Sequence, residues 1–131
     1  MSTHPPKTRS AAELAIIEKV RALALALPET HEVEAWGEPT FRLKGGKMFA
    51  MYATSSTHHG DGRPSLWIKA TPVNQAMLLD AEPARVHKPP YVGASGWIAV
   101  WLDKRPKWSF VRELLEDGWA LVAPRRLTTG R

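Results

Sequence analysis

The sequence predicts one α+β domain in two layers, an antiparallel sheet with helices on one face. Three observations carry this expectation. Two long segments repeat apolar residues at spacings of three and four, the mark of a helix with one buried stripe. Several short segments alternate apolar and polar residues between glycine or proline turns, as strands do. The strands come in groups between helices rather than singly, which favours an antiparallel sheet. The expected order is helix, three strands, helix, two strands, helix.

Residues 1–9 are polar with two prolines and are expected to be a disordered tail. Residues 10–127 then form a single domain, since 131 residues suit one core and not two. Ser10 and Glu13 fit a capping box at the start of the first helix. Ile16, Ile17, Val20, Leu23, Ala24 and Leu27 make its apolar stripe, and Pro28 stops it. Residues 32–37 read as an extended connector. Thr40–Leu43 and Lys47–Ala53 are two strands joined through Gly45 and Gly46. A polar loop leads to a third strand, Ser65–Ala70. Thr71 and Pro72 open the second helix as N-cap and first residue, with Met77, Leu78 and Ala81 on its expected apolar side. Arg85–Lys88 and Trp97–Leu102 are the last two strands. Trp108, Val111, Leu114, Leu115, Trp119 and Val122 share one face of the final helix, and Gly118 predicts a break or kink midway.

Composition limits the function classes. The absence of cysteine excludes a disulfide framework, a thiolate metal site and a thiol nucleophile. No apolar run approaches the length of a membrane span, and the first residues lack the apolar stretch of a secretory signal, so a cytoplasmic protein is expected. The net charge is +5 and unevenly placed. Residues 1–38 hold four Lys/Arg against six Asp/Glu, whereas residues 39–131 hold fourteen against seven. A basic body favours anionic partners such as nucleic acid, although modest basicity also serves solubility alone.

Strand alternation assigns side chains to faces. Phe41 and Leu43, then Leu66, Ile68 and Ala70, then Ile98, Val100 and Leu102, form aliphatic sides that suit the helix stripes. The opposite sides carry Arg42 and Lys44, Trp67 and Lys69, and Trp97 and Trp101. The strand 47–53 is apolar on both sides, with Phe49 and Met51 against Met48 and Tyr52. The face without helices is therefore expected to present Arg42, Lys44, Tyr52, Trp67, Lys69, Trp97 and Trp101. Aromatic rings stack on bases and neighbouring cations hold phosphates. Lys88 and Tyr91 lie in the adjoining segment and join the candidate set for a nucleic acid or another anionic ligand. Core packing, cover by a loop, or a dimer contact would use the same tryptophans.

Other motifs say less. Gly93-Ala94-Ser95-Gly96 could bring backbone N–H groups to a phosphate, but a tight turn feeding a strand explains it more simply. His58, His59 and Asp61 lack further metal-ligand spacing, so neither metal nor cofactor is expected. His31 and His87 have no serine or carboxylate partner at a recognisable spacing. Glu32 and Glu34 would share a strand face, as paired acid–base carboxylates do, but solvated strand residues look the same. No catalytic residues are expected. The basic runs "KRPK" at 104–107 and "PRR" at 124–126 suit phosphates without being diagnostic.

Taken in order, "LPET" at 27–30, "WGEPTFRLKGGKMFAMY" at 36–52, "LWIKA" at 66–70, "PPYVGASGWIAVWLD" at 89–103 and "ELLEDGWALVAPRRL" at 113–127 resemble the MmcQ/YjbR family. The resemblance spans about residues 13–127, with "GGKMFA" and "PPYVGASGW" its most specific parts. It implies a compact fold like that of secretion chaperones. It also implies a DNA-binding role, which the family is often given by analogy with a double-wing fold, and it brings no catalytic residues. The sequence expectation is thus a non-enzymatic DNA-binding domain. Its rivals are a small-molecule or nucleotide pocket near Tyr91 and Trp97, and an adaptor or dimer that uses the tryptophan face.

Overall fold

The structure is a computed structural model that describes residues 9–54 and 63–128. The expected tail, apart from Arg9, and the His58, His59 and Asp61 group lie outside the described residues. Helix α1 spans Ala11–Leu25, and the Ser10 hydroxyl accepts a hydrogen bond from the Glu13 amide at 3.0 Å. Four strands follow: β1 (Thr30–Ala35), β2 (Glu38–Leu43), β3 (Met48–Ala53) and β4 (Ser65–Ile68). Helix α2 spans Pro72–Ala81 behind the Thr71 cap. Then come β5 (Val86–His87), a 3-10 turn at Val92–Ser95, β6 (Ile98–Trp101), α3 (Trp108–Val122) and the short α4 (Arg125–Thr128).

All strand pairs are antiparallel, in the order β1-β2-β3-β4-β6-β5. The class and the helix layer agree with the sequence reading, but the first group has four strands rather than three. The expected connector is the edge strand β1. Its sequence THEVEA has a single large apolar residue and none of its residues is buried, so the alternation that reveals strands is missing.

One face of the sheet and the helices enclose the main core. Phe41, Tyr52, Leu66, Ile68, Ile98, Val100 and Leu115 are among its fully enclosed members, together with Val20 from α1 and Trp119 from α3. Helix α3 runs unbroken through Gly118. A Cβ there would lie 2.8 Å from Ile68 Cγ2 and 3.0 Å from the Lys69 carbonyl, so this glycine permits close approach of helix and sheet rather than a kink. Helix α2 is peripheral and has no buried residue. Leu78 and Leu79 pack against the core, whereas Met77 is 63% exposed and Ala81 is also exposed, contrary to the face expected from the sequence.

The register between β2 and β3 shifts: Phe41 faces Ala50 but Arg42 faces Met48. Phe49 is the extra residue of this bulge. It lets Phe49 and Ala50 both join the helix-side core, and it moves Tyr52 to that side with Leu66. Strict alternation had put Tyr52 on the open face.

Candidate nucleic-acid interface

The second face of the sheet is a small core of its own. Met51, Ala53, Trp67, Trp97 and Ala99 form a cluster, with Met48 and Val92 packed against it. Trp67 and Trp97 are each only 6% exposed. This corrects the expected open platform: both indoles are spent on packing, so neither presents a free ring for a base. Trp101 is half-buried. The His87 ring stacks on it with centroids 3.9 Å apart, and the Arg63 guanidinium lies 3.7 Å from its centroid. Arg63 is fixed by two hydrogen bonds to Asp103, at 2.7 and 3.1 Å. These bonds hold the Asp103 carboxyl below its ordinary range. The Lys69 ammonium sits 5.9 Å from the Trp97 ring centre.

The loop before β6 is tied to α2. Gln75 Nε2 donates to the Gly93 carbonyl at 2.8 Å and to the Trp97 carbonyl at 2.7 Å. Gly96 has φ +99°, and a Cβ would fall within 3 Å of the Thr71–Pro72 backbone. The Ala94, Gly96 and Trp97 amides donate within the loop, so they are committed to the turn and not to a phosphate. Tyr91 is 67% exposed at φ 61°, ψ −78°, a sparsely populated conformation for a residue with a side chain. Lys88 is exposed, and its aliphatic stem lies over Gly93.

The carboxylates near the N-terminus are paired. Glu32 accepts from Arg21 of α1 at 2.5 and 2.9 Å, which joins helix to edge strand. Glu38 is fully buried and accepts from Arg9 at 2.7 Å and from the Thr54 amide and hydroxyl at 3.2 Å each. Arg9 also donates to Glu13, which accepts from the Tyr52 hydroxyl at 2.8 Å. Burial first, and then that bond, push the Tyr52 phenol well above its ordinary pKa. The network holds its protons in place, as a buried polar group requires. Glu38 was not singled out in the sequence, where it falls between the expected connector 32–37 and the expected strand Thr40–Leu43.

A few of the described cations come together where the sequence did not show them as neighbours. Gly45 and Gly46, both at positive φ, turn the β2–β3 hairpin and carry Lys44 and Lys47 at its tip, both exposed. Arg42 braces this tip: its Nε donates to Thr40 Oγ1 at 3.1 Å and its Nη1 reaches the Gly46 carbonyl at 3.4 Å. The Lys44 amide donates to the Glu29 carbonyl at 3.1 Å. Arg126 of α4 makes two hydrogen bonds to the Glu29 carboxylate, at 2.7 and 2.8 Å. Arg126, and to a lesser degree Lys44, lower the Glu29 pKa. The Trp119 indole donates to the Pro28 carbonyl at 3.0 Å and anchors the end of α3 beside this turn. The hairpin and α4 thus meet at one carboxylate, through Lys44 and Arg126. The "KRPK" run follows β6, whose last residues pair with the start of β4, so it lies at the opposite end of the sheet from the hairpin tip.

A model of the YjbR family matches residues 25–121. This chain belongs to the YjbR family. Two solved structures agree on its fold. A Deinococcus radiodurans protein, DR2400, with a DUF419 domain, superposes at TM-score 0.67 with 21% identity, over 86% of this chain and 82% of that one. A Pseudomonas syringae protein superposes at TM-score 0.62 with 15% identity, over 88% of this chain and all of that one. No curated protein matches the chain. Among the described residues of this YjbR-family chain, no helix is long and apolar enough to cross a membrane, and no group of three or more His, Asp or Glu could hold a metal.

Proposed function

We propose that this YjbR-family domain is a non-catalytic, cytoplasmic DNA-binding module that grips the phosphate backbone with the hairpin end of its sheet. The observation that carries the reading is the meeting of Lys44 and Arg126 at Glu29, beside the exposed hairpin tip that also carries Lys47. A glycine hairpin with a lysine on each side can follow a groove edge, and Arg126, held on Glu29 by two hydrogen bonds, adds positive charge beside it. Burial of Trp67 and Trp97 moves the expected contact from base stacking to backbone charge. Such contacts position a protein on DNA without reading its sequence.

The test is a fluorescence anisotropy titration of a labelled duplex at several salt concentrations. If about three or four phosphates are neutralised, log affinity falls with log salt at a slope near −3. The double variant Lys44→Glu, Lys47→Glu weakens all duplex sequences alike. The matched variant Lys104→Glu, Lys107→Glu, at the other end of the sheet, changes affinity much less. Absence of binding at low salt, or equal loss in both variants, rejects the reading.

A further inference from the structure

A cleft of about 240 Å³ separates α2 from α3 on the helix side of the sheet. Ile68, Leu78, Ile98, Leu114 and Leu121 give it apolar walls, and Asn74 and Asp117 are its polar side chains. Leu121 in its lining is 44% exposed. The volume falls just below the roughly 300–1,000 Å³ usual for ligand pockets, which limits an occupant to about one ring and a short chain.

Among the described residues, the Asp117 carboxylate has no hydrogen bond or ion pair within the chain. The charges that act on it are like charges: partial burial, then Glu116 and Glu113, raise its pKa. Lys69 lines the cleft, but its ammonium turns to the other side of the sheet, towards Trp97. Asp117 is an exposed residue in the lining of an apolar cleft, and an unneutralised carboxylate crowded by two others there suits a cation. We propose that this cleft binds a small organic amine, with its apolar body between Leu78, Leu114 and Leu121 and its ammonium on Asp117. The Asn74 side-chain carbonyl is the second acceptor for that ammonium. The site is separate from the cationic hairpin end, and its test uses no nucleic acid.

The probe is phenethylamine, followed by NMR of methyl-labelled protein. The expected result is a saturable shift of the Leu78, Ile98, Leu114 and Leu121 methyls. Asp117→Asn, a partly exposed change that keeps the fold, weakens binding at least fivefold. Phenylacetate, with a similar body and the opposite charge, leaves the methyls in place. A linear, unsaturable response, equal shifts with phenylacetate, or unchanged affinity in Asp117→Asn overturns the proposal. Thermal denaturation of the variant confirms that any loss is not unfolding.

Discussion

The second sheet face and the hairpin end hold most of the candidate binding residues, and they use them in opposite ways. On the face, Met51, Trp67 and Trp97 close over one another, and Trp101 is held between Arg63 and His87. At the hairpin end, Lys44 and Lys47 stay exposed, and Lys44 shares the Glu29 carboxylate with the exposed Arg126. The difference teaches that aromatic and basic residues alternating along a strand do not make a binding platform. A tryptophan that can bury its ring on a neighbouring strand does so, because the hydrophobic gain of a large ring is among the largest any side chain offers. A lysine at a turn has no such option.

The largest effect that could break this contrast is on stability. Trp67→Ala is expected to cost about 3–5 kcal/mol, as for a core aromatic, in a chemical melt. Ile98→Ala, on the helix side and 1% exposed, is expected to cost about 2–5 kcal/mol. If Ile98→Ala is costly but Trp67→Ala costs less than about 0.5 kcal/mol, as at a surface site, the second face is open and the contrast fails.

Gly118→Ala comes next. The added methyl meets Ile68 Cγ2 at 2.8 Å and the Lys69 carbonyl at 3.0 Å. It is expected to destabilise by about 1–3 kcal/mol, despite the better helix propensity of alanine. A gain in thermal stability would show that α3 does not press on the sheet there.

The smallest stability effect is at Trp101. Arg63→Ala removes a cation from its ring and a partner from Asp103, and is expected to cost about 1 kcal/mol. The Asp103 pKa is lowered in the folded state, first by its bonds to Arg63. Its share of stability is therefore present above about pH 4 and is lost as the pH falls through the lowered folded value. The gap between wild type and Arg63→Ala should narrow on acidification. A constant gap would assign the whole effect to the ring contact.

Much of the fold was legible because it rests on local periodicity. The stripe of α1 reappears as buried Ile17, Val20, Ala24 and Leu27, and that of α3 as Val111, Leu114, Leu115 and Trp119. The alternation of Leu66 and Ile68, and of Ile98 and Val100, placed these side chains correctly. Three features escaped for physical reasons. Edge strand β1 has almost no buried side, so hydrophobic patterning could not mark it. The bulge at Phe49 inserts a residue and reverses the faces beyond it, which no count of alternation anticipates. The meeting of Lys44 with Arg126 at Glu29 depends on α3 returning along the sheet. A local reading placed Arg42 and Lys44 on a strand and "PRR" in a separate basic run, and it left Trp67 and Trp97 open between an exposed and a covered face because it could not weigh one strand against the next.

The most direct test of the account compares the two regions in one assay. A labelled single-stranded oligonucleotide is titrated with Lys44→Glu/Lys47→Glu and with Trp97→Phe, a change chosen to keep the second cluster packed. The account predicts that the lysine pair weakens binding at least tenfold, and to the same degree as for duplex, while Trp97→Phe changes neither. Selective loss of single-strand binding in Trp97→Phe, with the lysine pair silent, would contradict it and return the binding surface to the tryptophan face.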